Sequence, residues 1–140
     1  MISAADTLCF SRAGPKSWGQ FAADVALLRD QISRATHICN LLPDRYQFMV
    51  GLAAAMLNEQ VTVLPAAAAP QAIRAALADA ERPLILGGEP KHHGTFDNQI
   101  SIPQSGNNIE PAHMLSALAT SETQIHVFTS GTTKVPERRV

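Results

Sequence analysis

THICNLLPDRYQFMVGLAAAMLNEQVTVL, residues 36–64, holds a complete strand, helix, strand unit. Its first seven residues are mostly apolar and stop at Pro43-Asp44, as a strand buried on both faces would. Asp44 is placed to cap a helix along which Tyr46, Met49, Val50, Ala53, Met56 and Leu57 recur at helical spacing. VTVLP then supplies β-branched residues for the next strand. Strands joined through a helix of ten or more residues require right-handed crossovers, so they lie parallel in one sheet.

The alternation continues on both sides of this unit. Downstream, the alanine run at 66–69, the one low-complexity stretch, joins the strand to a helix begun by Pro70, with Ile73, Ala76, Leu77 and Ala80 on one face. Leu84-Ile85-Leu86 forms another apolar strand, ended by Gly87-Gly88. Upstream, Ser17 and Gln20 make a capping box for a helix whose stripe is Trp18, Phe21, Ala22, Val25, Leu28 and Ile32. Before it, residues 7–12 read as a short strand stopped by Gly14-Pro15. Residues 89–108 are polar and broken, a long loop in which only Ile100-Ser101-Ile102 reads as an edge strand. Pro111 opens a short helix bearing Met114, Leu115 and Leu118, and residues 125–128 form the last strand. The expected fold is a single α/β layered domain over residues 1–140, a mainly parallel sheet flanked by helices.

Composition narrows the function. A formal net charge of −1 with scattered arginines excludes the basic stripe that nucleic-acid binding requires. The longest apolar run, FMVGLAAAML, is too short to cross a bilayer, and the opening residues lack a secretion signal. Cys9 and Cys39 have no CxxC spacing, so neither a zinc site nor a disulfide framework is expected, and a reduced, cytoplasmic setting fits.

The chemically suggestive segment is IHVFTSGTTKVPERR, residues 125–139. Ligands of open parallel sheets bind at the carboxyl ends of the strands, where this loop leaves its strand. Thr129, Ser130, Thr132 and Thr133 offer hydroxyls, and successive amides around Gly131 form a concavity suited to phosphate oxygens. An ordinary polar turn is the plain alternative. The stretch Phe128-Thr129-Ser130-Gly131-Thr132-Thr133, with Pro136 following, resembles the signature loop of the adenylate-forming enzymes: acyl- and aryl-CoA synthetases, luciferases and peptide-synthetase adenylation domains. The upstream order SWGQFAADVALLRDQI, ICNLLPDRYQFMVGLAAAML, VTVLP and PQAIRAALADAERPLIL is similar to the opening portion of such an enzyme.

That resemblance implies the first subdomain of an ATP- and Mg²⁺-dependent enzyme that activates a carboxylic acid, with Thr129, Ser130, Gly131, Thr132, Thr133 and Lys134 contacting the nucleotide phosphates. It assigns no catalytic residue to this chain. Lys134 stands where the family has glycine, and Glu137 where it commonly has lysine. The adenine pocket, the acid pocket and the catalytic lysine of the family all follow this loop, so the implied role is that of an N-terminal portion.

Other residues have plainer readings. His92 and His93, near Glu89 and Asp97, suggest a metal but read first as solvated loop histidines. His126 alternates with apolar neighbours and is expected to be hydrogen-bonded, while Cys39 packs as a small apolar residue. Nucleophile-elbow, zincin, dinucleotide and Walker motifs are absent from the sequence. The rival to the ligase is a non-catalytic α/β module that associates with itself or another protein through apolar sheet surface exposed around residues 125–128.

Overall fold

The computed structural model describes residues 2–11, 14–87, 99–100 and 106–128. An antiparallel hairpin, β1 (Thr7–Ser11) with β2 (Gly14–Ser17), leads into helix α1 (Trp18–Gln31). There follow β3 (His37–Leu41), α2 (Arg45–Leu57), β4 (Val61–Leu64), α3 (Pro70–Ala76) and β5 (Pro83–Gly87). The two-residue β6 (Gln99–Ile100), α4 (Ala112–Thr120) and β7 (Ile125–Val127) complete the order. The second hairpin arm departs from the expectation that Gly14-Pro15 ends the strand. Both arms of a two-stranded ribbon are edges, and an edge strand tolerates the missing N–H of Pro15.

The main sheet runs β6-β5-β3-β4-β7 with every pairing parallel. It is therefore the parallel α/β sheet expected, four strands with β6 added at one edge. Its helices form because their ends are satisfied locally. Ser17 Oγ accepts from the Gln20 amide at 3.1 Å, and Gln20 Oε1 accepts from the Ser17 amide at 2.8 Å. Asp44 Oδ2 accepts from the Gln47 amide at 2.9 Å, closing the first turn of α2.

Two apolar clusters sandwich the sheet. On one face Ile38, Leu84 and Leu86 meet Phe21, Val25 and Leu28 of α1, Val50 and Ala54 of α2, and Met114 of α4. On the other face Cys39, Val63 and Ile85 meet Ile73 and Ala76 of α3. Ile38 and Cys39, adjacent in sequence, thus serve opposite clusters. This two-sided burial is why the strand reads as an unbroken apolar run.

Gln60 joins the layers from the turn before β4. Its buried Nε2 donates to the carbonyls of Ile32 at 2.6 Å and Ala35 at 2.8 Å, while its main-chain carbonyl accepts from Thr123 Oγ1 at 2.7 Å. Gln60→Leu preserves bulk but takes the side-chain donor from both carbonyls, leaving Ile32 with the Ala35 amide alone. It is expected to lower stability by about 1–3 kcal/mol, read as a lower urea midpoint at unchanged slope.

Candidate functional site

The predicted phosphate loop begins where β7 ends. Thr129, Ser130, Gly131, Thr132, Thr133 and Lys134 all lie outside the described residues, as do His92 and His93. The last described residue before the loop is Phe128, whose amide donates to the Leu64 carbonyl at 2.9 Å and extends the pairing of β7 with β4. Among the described residues β7 is the strand at one edge of the sheet, opposite β6. Its apolar side chains are partly exposed: Ile125, Val127 and Phe128 are half-buried, Phe128 packing beside the cluster under α3.

A second feature of the carboxyl edge lies nearer the centre. The chain leaves β3 through α2 toward β4, then returns through α3 to β5 on the other side of β3. This reversal is the kind of switch point beside which α/β sheets open a crevice. Leu42, Pro43, Arg45, Phe48 and Met49 line an open cavity of about 410 Å³ here.

Asn40 organises the wall of that cavity. Its Nδ2 donates to the Phe48 carbonyl at 3.1 Å, and its Oδ1 accepts from the Leu42 amide at 3.2 Å. Gly87, at φ +73°, lets β5 turn aside; a Cβ there would lie 2.7 Å from Leu42 Cδ2. Leu42 is thereby held between its own turn and the end of β5.

Behind the α2 N-terminus, the Tyr46 hydroxyl donates to Asp24 Oδ2 at 2.6 Å in a buried contact between α1 and α2. Burial, followed by that bond and the charge of Asp24, pushes the phenol well above its ordinary range, so Tyr46 is a donor and not a base. Lys16 of β2 covers its ring, with Nζ 5.2 Å from the centroid. The nearby half-buried Cys9 thiol is raised by burial first and by Asp44 second, against an opposing pull from Lys16.

The remaining candidates have structural roles. His126 is buried, with Nε2 3.0 Å from Gln124 Oε1 and its ring edge-on to His37 at 6.5 Å, as the hydrogen-bonded reading expects. No group of three metal-ligating side chains occurs among the described residues. No family model, curated protein or solved structure matches the chain. Arg45, Asn40 and Asp24 were not singled out by the sequence. For the latter two the available signal was a polar residue interrupting an apolar strand or helix stripe.

Tyr46→Phe removes the donor to a buried carboxylate and is expected to cost about 1.5–3 kcal/mol, measured by equilibrium unfolding. Cys39 gives a pH test. Burial pushes its thiol from 9.0 up to about 12. The folded chain therefore keeps the proton that the unfolded chain releases above pH 9, so this contribution is complete below pH 9 and declines as pH rises toward 12. Stability measured between pH 8 and 11 should fall less steeply in Cys39→Ala than in the native chain, and the native Cys39 thiol should resist disulfide reagents until unfolding.

Proposed function

We propose that this chain is the N-terminal α/β portion of an ATP-dependent carboxylate-activating enzyme, an adenylate-forming acyl- or aryl-acid synthetase, to which it contributes the phosphate loop. The observation that supports the reading is the parallel setting of β7 beside β4, which brings the chain to Phe128 at the carboxyl edge of the sheet. Fold analogy alone would not carry a function; the glycine and hydroxyl content of the loop supplies the chemistry.

In the proposed reaction a carboxylate oxygen attacks the α-phosphorus of ATP, the bond to the bridging oxygen breaks, and pyrophosphate leaves with that electron pair. An acyl adenylate is the product. Amides and hydroxyls of residues 129–133, with the Lys134 ammonium, would bind the β- and γ-phosphates and offset the charge that grows on them. Mg²⁺ accompanying ATP would add to that neutralisation, and no described side chain is given a part in holding it. The acid pocket belongs to the remainder of such an enzyme.

Association of a non-catalytic module is the second reading. It is favoured by β7, which among the described residues has a strand partner on one side only.

Acid-dependent exchange of labelled pyrophosphate into ATP tests the first reading, on this chain and on any longer product that contains it. We expect exchange in the longer form, lost by at least a hundredfold in Ser130→Ala/Thr132→Ala. Unchanged exchange in that variant would remove the loop from the mechanism. No exchange in either form, together with concentration-dependent sedimentation, would favour the associating module.

A further inference from the structure

We propose that the cavity lined by Leu42, Pro43, Arg45, Phe48 and Met49 binds a small amphiphilic anion, an oxyanion head on an apolar body, at a site separate from the loop after β7. Its volume of about 410 Å³ falls within the range of small-molecule sites, roughly 300–1,000 Å³. Its position beside the switch point is where parallel sheets hold ligands.

The lining selects the ligand class. Among the described residues four of the five lining side chains are apolar, which suits a hydrocarbon or aryl body and disfavours a polyanion such as a nucleotide triphosphate. The fifth, Arg45, is exposed and makes no hydrogen bond or ion pair with any described residue. A guanidinium at an apolar rim presents a weakly hydrated fork that grips a carboxylate or phosphate monoester through two parallel bonds. The cation thus complements a head group and the walls a tail.

The walls are already in place. Asn40 clamps the Leu42 amide and the Phe48 carbonyl, and the close approach of Gly87 backs Leu42 from β5. Little ordering of these residues is needed on binding, so contact energy is not spent on rearrangement. The inference does not depend on the phosphate loop.

Titration of the isotope-labelled chain with octanoate, octyl phosphate and octanamide, followed by amide NMR, tests it. Either anion, or both, should shift the amides of residues 42–49 and saturate with Kd below about 1 mM, the tighter one naming the preferred head group. Octanamide, with the same tail and no charge, should bind at least tenfold more weakly. Arg45→Gln should weaken the anions about tenfold, leave octanamide unaffected and keep the thermal midpoint unchanged, with partial recovery in Arg45→Lys. Octanamide binding as tightly as octanoate, indifference to Arg45→Gln, or shifts that fail to saturate or map elsewhere would each overturn the proposal.

Discussion

The fold rests on how closely α2 lies against the sheet, and that distance is set by Gly51. A Cβ at this position would stand 2.9 Å from both Asn40 Nδ2 and Leu86 Cδ1, closer than side-chain atoms normally approach. Glycine in a helix interior weakens the helix by up to about 1 kcal/mol relative to alanine, so here intrinsic propensity gives way to packing. Because the helix can settle on the strand, Asn40 reaches the Phe48 carbonyl and fixes the turn at Leu42. The cavity wall and the start of α2 inherit their geometry from that single close contact.

Much of the architecture was legible in the sequence because its signals are local. The Ser17 capping box, the Asp44 cap and the α1 stripe need only a few neighbouring residues and are found in the structure; on α2 the buried face takes Tyr46, Val50 and Ala53 with Gly51, Ala54 and Ala55, while Met49, Met56 and Leu57 stay half-buried. The doubly buried β3 was recognisable as an apolar run of strand length. Less was legible where partners come from far along the chain. Nothing near Gln60 shows that it will bond the carbonyls of Ile32 and Ala35, and nothing near Asp24 shows that Tyr46 will meet it.

The site divides in the same way. A glycine and hydroxyl cluster after an apolar strand can be read residue by residue, and the parallel course of β7 agrees with the edge on which that reading depends. Arg45 gives no sequence signal, being one arginine in the first turn of a helix. It becomes interesting only when β5 returns to the other side of β3 and Gly87 closes against Leu42. Such a pocket is a product of topology, which no window of neighbouring residues contains.

The order of the strands also partitions stability within the molecule. β3 is hydrogen-bonded on both sides and buried on both faces, whereas β7 is held by three paired residues along β4. Opening of the centre therefore requires global unfolding, while the outer strand can detach in a subglobal event that leaves the clusters around α1, α2 and α3 intact. Amide exchange would then divide the sheet into a slow interior and a fast margin, and the segment that leads into the hydroxyl-rich loop belongs to the fast one.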